Sequence, residues 1–261
     1  MNPSFVADAF VKLQDKSVLV IGDVMLDRFI DGSVPRISPE APVPVLQKSR
    51  ETEMPGGAAN VATNLASLGC NVCLVAVTGA DTQGHRIARL LGANMAINFH
   101  QVIDADRPTT TKTRFRADGQ QVLRFDEEVT DPISTPLRQQ LMETFIVTLK
   151  QADLVIISDY AKGCVPVPLM QNIIKAANEA GKPVIADPKL ADFSSYAGVD
   201  LLTPNLAELR TATALSDDTL DIIAAAAGGL AVAHDIGAIL ATLSARGMLL
   251  AHADGSWTHA P

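Results

Sequence analysis

The sequence predicts an α/β protein whose central sheet is doubly wound, mainly parallel and enclosed between helices. Short runs rich in Val and Ile suit strands that are buried on both faces. Amphipathic helical patterns lie between several of these runs, and such alternation is typical of a parallel sheet. With 261 residues, 48% of them hydrophobic, we expect a single domain, residues 1–261, with a sizeable core.

Six apolar runs are the candidate strands. In chain order they are SVLVIGD ending at Asp23, NVCLVAVTG ending at Gly79, DLVIISD ending at Asp159, PVIADPK carrying Asp187, DLLTPN ending at Asn205 and GAILAT ending at Thr242. The carboxyl ends of parallel strands share one edge of a sheet, and ligands bind there. The three acidic strand ends and Asn205 are therefore expected to converge in a site.

Helical spacing of apolar residues predicts four helices, over residues 58–68, 82–91, 136–149 and 167–180. Two polar segments, approximately 27–48 and 107–128, interrupt the alternation. The first is rich in proline, and the second alternates with period two around an ADGQ turn. We predict that both form strands of a small β-lid beside the main sheet.

Composition excludes several classes of function. The formal net charge of −8 argues against general nucleic-acid binding. The start of the chain lacks the pattern of a secretion signal, and no apolar run is long enough to cross a bilayer, so we expect a cytoplasmic protein. Cys70 and Cys73 have redox spacing but no helix start, so they and Cys164 are predicted to be structural thiols.

Three basic residues share one face of the predicted hairpin, namely Lys112, Arg114 and Arg116. Like charges at this spacing repel, and two explanations are open. The strand is a solvated edge protected by charge, or the face holds an anionic substrate such as a phosphate.

The stretch PGGAANVATNLASLG, residues 55–69, begins an amphipathic helix with two glycines and an asparagine. Glycine lets another group come close to the backbone, and a helix start offers free N–H groups. A tight corner between loop and helix is the alternative explanation. The sequence has no P-loop, and GDVMLD stands where a dinucleotide-binding fold would carry G-x-G-x-x-G.

These motifs resemble a known family. GDVMLDRF, RISPEAPVPV, PGGAANVATNLASLG, SDYAKG, DPK and TPNLAE resemble the ribokinase-like carbohydrate kinases, and most closely the D-glycero-β-D-manno-heptose 7-phosphate kinase branch. The resemblance implies ATP-dependent phosphorylation of the anomeric hydroxyl, giving a 1,7-bisphosphate for lipopolysaccharide heptose. It also implies Mg²⁺ and a homodimer formed through the β-lid.

The resemblance also implies roles for individual residues. The sugar-side set is Asp23, Gly56, Gly57, Asn60, Lys112, Arg114, Asp159 and Lys162. The nucleotide-side set is Asp187, Asn205, Leu206, Ala207, Glu208 and Thr242. Asp187 and Glu208 would hold Mg²⁺, which prefers oxygen ligands. A second explanation for Glu208 is a first-turn residue facing the helix dipole.

One departure from the family pattern bears on catalysis. The family carries an Asp-x-Thr-Gly-Ala-Gly-Asp motif whose last aspartate is the catalytic base, and the sequence contains no Gly-Ala-Gly-Asp stretch. We therefore expect a C-terminally incomplete kinase domain whose base lies beyond Pro261, with weak phosphosugar binding and no turnover. Another phosphosugar or nucleoside kinase, and a non-catalytic sugar-phosphate-binding module, are the alternatives.

Overall fold

The computed structural model describes residue 8, residues 10–215 and residues 217–261, and its strands form two sheets. The strands are β1 (Ser17–Gly22), β2 (Val24–Ile37), β3 (Pro44–Gly57), β4 (Asn71–Gly79), β5 (Ile97–Asp104), β6 (Thr111–Ala117), β7 (Gln120–Glu127), β8 (Leu154–Ser158), β9 (Val184–Asp187), β10 (Leu201–Leu202), β11 (Ala238–Thr242), β12 (Met248–His252) and β13 (Trp257–Ala260).

The main sheet has nine strands in the order β13-β12-β11-β10-β9-β8-β1-β4-β5. The pairs from β11 through β5 are parallel, and β12 and β13 add antiparallel strands at one edge. This arrangement confirms the predicted fold class. All six predicted strands belong to this sheet. Strand β5 was not predicted because its sequence, INFHQVID, mixes polar with apolar residues and contains no continuous apolar run.

Helices of eight or more residues within the described ranges are α1 (Ala58–Ser67), α2 (Thr82–Gly92), α3 (Thr135–Leu149), α4 (Val167–Glu179), α5 (Leu206–Thr213) and α6 (Leu220–Ala233). The four helices predicted from periodicity match α1 to α4 within one residue at each end. Helix α6, LDIIAAAAGGLAVA, is apolar on all sides, so it lacks the periodic pattern that identifies an amphipathic helix.

Apolar residues fill both faces of the main sheet. Leu19 and Ile21 of β1 belong to the larger core cluster, which includes residues of α3, α4 and α6. Val18 and Val20 of the same strand belong to a second cluster, with α1 and α2. A strand that is buried on both faces needs apolar residues at every position, which explains why these strands appear as continuous runs.

The two polar segments form strands, as predicted, in a separate four-stranded sheet of order β3-β2-β6-β7. Strands β6 and β7 form a hairpin whose turn residues, Asp118 and Gly119, have φ values of 49° and 84°. Strand β2 begins at Val24, directly after the end of β1, and β3 ends at Gly57, directly before α1. The four-stranded sheet is thus attached to the main sheet at the carboxyl end of β1.

Two further findings concern the classes of protein considered above. The cysteines Cys70, Cys73 and Cys164 are free, and burial raises the pKa of the Cys73 thiol to about 11, so this thiol is in its unreactive protonated form at neutral pH. Within the described part of the chain, no helix is both long and apolar enough to span a membrane.

Candidate functional site

Five strands that are neighbours in the main sheet end in a row of polar residues. In spatial order the row is Asp23, Asp159, Asp187, Asn205 and Thr242, which follow or end β1, β8, β9, β10 and β11. Backbone contacts join these ends, since Asp159 donates its N–H to the Asp187 carbonyl at 3.3 Å and Asn205 forms a bridge with Thr242. The predicted convergence of the acidic strand ends and Asn205 is therefore confirmed.

Asp23 is 1% exposed, and both of its carboxylate oxygens accept backbone hydrogen bonds. Oδ2 accepts from Tyr160 at 2.8 Å and from Lys162 at 3.0 Å, and Oδ1 accepts from Cys164 at 3.3 Å. The role of Asp23 toward a sugar hydroxyl stays a prediction. In this structure its carboxylate shapes the loop of residues 159–164.

The loop of residues 159–164 carries Lys162 and has a tightly defined backbone. Ala161 and Gly163 have φ values of 53° and 77°, and a Cβ at Gly163 would collide with the carbonyl of Asp131. The Lys162 ammonium binds Glu128 Oε1 at 2.7 Å, and Glu128 follows β7. The loop therefore directs a lysine toward the base of the four-stranded sheet.

Asp187 lies in the centre of the row, close to the Glu208 carboxylate and to Lys189. Burial and the nearby Glu208 carboxylate raise the pKa of Asp187. Its Oδ1 accepts a long hydrogen bond, 3.4 Å, from the Thr203 hydroxyl. A half-buried carboxylate beside a second carboxylate favours a cation or a hydrogen-bond donor as a third partner.

Glu208 and Asn205 cap helix α5 reciprocally. Asn205 Oδ1 accepts from the Glu208 N–H, and Glu208 Oε2 accepts from the Asn205 N–H, both at 2.9 Å. Glu208 Oε1 also binds the Lys189 ammonium at 2.9 Å. Glu208 thus lies in the first turn of α5 as a capping residue, and its role toward Mg²⁺ stays a prediction. Leu206 and Ala207 lie in the same first turn.

The two glycines of the GGAAN stretch are explained by contacts within the protein. Gly57 has a φ of 60°, and a Cβ there would collide with the Asp23 carbonyl, while a Cβ at Gly56 would collide with the Asp27 carboxylate. The approach of a sugar to these glycines stays a prediction, and packing within the protein already requires glycine at both positions. Helix α1 begins without a side-chain cap and without an acidic residue in its first turn, and Asn60 is exposed there.

The basic face of β6 is matched by acidic residues on β2. The two strands are parallel neighbours, and their register sets Asp27, Phe29 and Asp31 opposite Lys112, Arg114 and Arg116. Since β6 lies between β2 and β7, the explanation of a charged edge strand is wrong. The repulsion between the basic residues is relieved by the opposite charges of the neighbouring strand.

Ion pairs differ along this basic face. Arg116 binds Asp31 through two hydrogen bonds, of 2.7 and 3.0 Å, and Arg114 pairs with Asp27. Both guanidinium groups also lie over the Phe29 ring, at 4.8 Å for Arg116 and 5.3 Å for Arg114. Among the described residues, Lys112 has no ion-pair partner within 4.0 Å. Lys112 therefore remains available to a ligand anion.

Sequence reasoning missed Asp27 as a site residue. Its carboxylate lies against Gly56 and pairs with Arg114, two residues that were predicted to be part of the site. The alternation of Asp27 and Asp31 on the first polar segment, matched to the basic alternation on the second, is the pattern that indicates it. The parallel register that joins them is not visible in the sequence.

A cavity of about 370 Å³ lies at the opposite, amino-terminal end of β1, β4 and β5. Its lining includes Cys73, Asn98 and His100 and contains no residue of the polar row. Within the described ranges, no group of three or more His, Cys, Asp or Glu residues could hold a metal ion by itself.

Comparison with known proteins agrees with the resemblance in the sequence. The family profile described as "pfkB family carbohydrate kinase" matches residues 15–261. Bifunctional protein HldE of Paramagnetospirillum magneticum is 44% identical over 250 residues, 96% of this chain and 51% of that protein. The HldE protein of Azorhizobium caulinodans is 44% identical over 245 residues, 94% and 51% of the two chains. The chain thus spans about half the length of these curated relatives.

Solved structures share the fold at lower identity. Phosphofructokinase-2 from Escherichia coli has a TM-score of 0.75 and 21% identity, covering 94% of this chain and 79% of that chain. Arabidopsis thaliana ribokinase, complexed with ribose and ATP, has a TM-score of 0.71 and 19% identity, covering 95% and 78%. The likeness supports the ribokinase-like arrangement of the main sheet.

Proposed function

The chain belongs to the pfkB family of carbohydrate kinases, and on this premise we propose that its sugar substrate is D-glycero-β-D-manno-heptose 7-phosphate. The reaction is transfer of the γ-phosphate of ATP to the anomeric (C1) hydroxyl, and the 1,7-bisphosphate serves lipopolysaccharide heptose synthesis. The observation that carries the proposal is the position of the basic face of β6 beside one end of the row of carboxylates.

The sugar side of the site is formed by the four-stranded sheet, α1 and the loop of residues 159–164. Lys112, Arg114 and Lys162 supply positive charge for the 7-phosphate, since ammonium and guanidinium groups bind phosphate through charge-assisted hydrogen bonds. Asn60 and the N–H groups of the first turn of α1 after Ala58, whose own N–H donates to the Asp23 carbonyl, suit sugar hydroxyls. We add Asp27 to the buried Asp23 as a carboxylate that accepts a hydroxyl.

The nucleotide side begins at Asp187 and continues along the row to Thr242. Asp187 and the capping turn of α5, Asn205 to Glu208, lie where the ATP phosphates would approach. The donor set fits Mg²⁺, which takes one or two carboxylates together with phosphate oxygens and water. When bound, Mg²⁺ would neutralise charge on the transferring phosphate. Asp187 and Glu208 are the residues that would hold it.

The residues of this chain contribute positioning and charge to the transfer. Phosphoryl transfer depends mainly on aligned oxygens and on neutralisation of the phosphate. Lys112, Arg114 and Lys162 hold the distal phosphate, and Asp187 with Glu208 fixes the nucleotide end. The sequence contains no Gly-Ala-Gly-Asp stretch, and we assign no catalytic base among its residues.

Assembly into a homodimer is the second part of the proposal. Strand β7 is an edge of the four-stranded sheet, and its Leu123 and Phe125 are 57% and 51% exposed. Together with the neighbouring Phe115 they form an apolar surface on the face opposite Arg114. Association of two chains through this surface would bury it. Analytical ultracentrifugation over a series of protein concentrations tests the dimer by comparing the wild-type protein with the variant Leu123→Glu.

Isothermal titration calorimetry tests the substrate. Heptose 7-phosphate, fructose 6-phosphate, ribose and unphosphorylated heptose are titrated into the protein in the presence of Mg²⁺ and the ATP analogue AMP-PNP. The proposal expects heptose 7-phosphate to bind more tightly than the other three sugars. Tighter binding of fructose 6-phosphate would support a different phosphosugar kinase, and equal binding of phosphorylated and unphosphorylated heptose would contradict the role of the basic face.

A further inference from the structure

Tyr196 lies between the two loops that follow β8 and β9, and sequence reasoning did not single it out. Its hydroxyl donates to Asp159 Oδ2 at 2.5 Å. The same oxygen accepts the backbone N–H groups of Lys189 at 3.0 Å and of Leu190 at 3.2 Å. One hydroxyl therefore has three partners, on two different loops.

Asp159 connects these hydrogen bonds to the loop of residues 159–164, called here the sugar-side loop. Its second oxygen, Oδ1, accepts the Ala161 N–H at 2.7 Å. Its backbone N–H donates to the carbonyl of Asp187 at 3.3 Å, where the nucleotide-side loop, residues 187–190, begins. One oxygen of the Asp159 carboxylate thus binds the backbone of the sugar-side loop. The other oxygen binds Tyr196, whose hydroxyl holds the nucleotide-side loop.

The ring of Tyr196 is held rigidly. It is fully buried at the end of a short 3₁₀ turn, Phe193–Tyr196, and it packs edge-to-face on Phe193 with the ring centroids 6.4 Å apart. Burial also raises the pKa of the Tyr196 hydroxyl far above its usual value, so the hydroxyl keeps its proton and acts as the donor to Asp159. A buried donor and acceptor with no alternative partner define a single geometry.

We propose that Tyr196 is a positioning residue that holds the nucleotide-side loop against the sugar-side loop through the shared carboxylate of Asp159. The consequence extends to α5, because Lys189 of the same loop binds Glu208 at 2.9 Å. Loss of the hydroxyl would release the loop that carries Asp187 and Lys189. The names of the two loops rest on the proposed function, whereas the hydrogen bonds do not.

The first experiment needs no ligand. Amide hydrogen exchange is compared in the wild-type protein, Tyr196→Phe and Phe193→Leu, which loosens the same ring packing but keeps the hydroxyl. In Tyr196→Phe, exchange at Lys189 and Leu190 should rise about two- to tenfold, as for loss of one hydrogen bond, relative to Ser195 in the adjoining turn. Unchanged protection at both amides, or the same selective increase in Phe193→Leu, would overturn the proposal.

The second experiment tests the consequence for the site. Calorimetry measures the Kd of Mg²⁺–AMP-PNP for the three proteins. Tyr196→Phe should weaken nucleotide binding about two- to tenfold, and Phe193→Leu should leave it near the wild-type value. An unchanged nucleotide Kd in Tyr196→Phe would overturn the positioning role. If the wild-type protein binds no nucleotide, the proposed function fails, and the exchange data still decide whether the hydroxyl holds the loop.

Discussion

The backbone N–H of Lys162 donates to the buried carboxylate of Asp23 at 3.0 Å, across 139 positions of the sequence. Tyr160 and Cys164 donate to the same carboxylate. The end of the first strand therefore determines the shape of a loop at the end of the eighth strand. The position of Lys162 therefore depends on a residue at the end of a different strand.

We predict that Asp23→Asn destabilises the protein by about 1–3 kcal/mol, because its amide group presents N–H where the loop needs an acceptor. The measurement is urea unfolding followed by circular dichroism. Asp153→Asn is the matched control, since the exposed Asp153 accepts only one backbone N–H, that of Ser17. Equal losses in the two variants would contradict the special role of Asp23.

Substitutions on the basic face should have unequal effects on ligand binding. Lys112→Ala and Arg114→Ala should each weaken heptose 7-phosphate binding by about 1.5–3 kcal/mol, roughly ten- to a hundredfold, because each removes a charge-assisted contact. Arg116→Ala is the control, since Arg116 lies on the same face but two residues farther along the strand from the end of β1. The three Kd values come from calorimetry, and a uniform decrease would indicate a general effect of charge.

Substitutions at the start of α5 can distinguish the role of Glu208 as a helix cap from its proposed role as a metal ligand. Glutamine also completes a capping box, so Glu208→Gln should preserve stability while raising the Mg²⁺ concentration needed for half-maximal AMP-PNP binding. Asn205→Ala should cost about 1 kcal/mol of stability, because it removes the N-cap of α5. A Mg²⁺ titration and thermal unfolding of both variants give the comparison. An unshifted Mg²⁺ midpoint in Glu208→Gln removes it from the metal site.

The pH dependence of stability should reveal the strain at Asp187. Burial, followed by the Glu208 charge, raises the pKa of Asp187 above its usual 3.8, so the ionised carboxylate destabilises the folded state at neutral pH. Asp187→Asn should therefore be more stable than wild type at pH 7. The difference should shrink as the pH falls through the raised pKa and vanish below 3.8.

The control for this experiment is a carboxylate whose pKa is shifted in the opposite direction. Hydrogen bonding to Ser194 lowers the pKa of Asp192, so its ionised form stabilises the folded protein above its usual value of 3.8. Asp192→Asn should lose stability at pH 7, and this loss should fade as the pH falls through the lowered pKa. Thermal unfolding between pH 3 and pH 7, in about five steps, measures both variants. Parallel curves would refute the assignment of opposite shifts.

Two glycines with positive φ allow the cost of backbone strain to be measured separately from the cost of a steric collision. Gly57→Ala introduces a Cβ against the Asp23 carbonyl, whereas the space around Gly119 is open. Gly119→Ala should cost about 1–2 kcal/mol for the left-handed backbone alone, and Gly57→Ala should cost clearly more. Denaturant unfolding provides the two values, and similar values would show that the corner at Gly57 relaxes freely.

The sequence by itself determined six of the nine strands of the main sheet, four of the helices and the row of polar strand ends. These features follow from local patterns, because a strand buried on both faces must be apolar throughout and an amphipathic helix must repeat every 3.6 residues. Since parallel strands end at one edge, Asp159, Asp187 and Asn205 could be brought together before any contact was known. The resemblance to a kinase family rests on the same local motifs.

Only the tertiary structure decided which charged and polar side chains are paired within the protein. Asp27 meets Arg114 across 87 positions, and Tyr196 meets Asp159 across 37. These pairings depend on strand register and loop closure, which no local pattern records. A buried carboxylate binds whichever donors the fold brings to it. For that reason the carboxylate of Asp23 accepts three backbone N–H groups. Asp27, four residues later, lies beside the predicted sugar site.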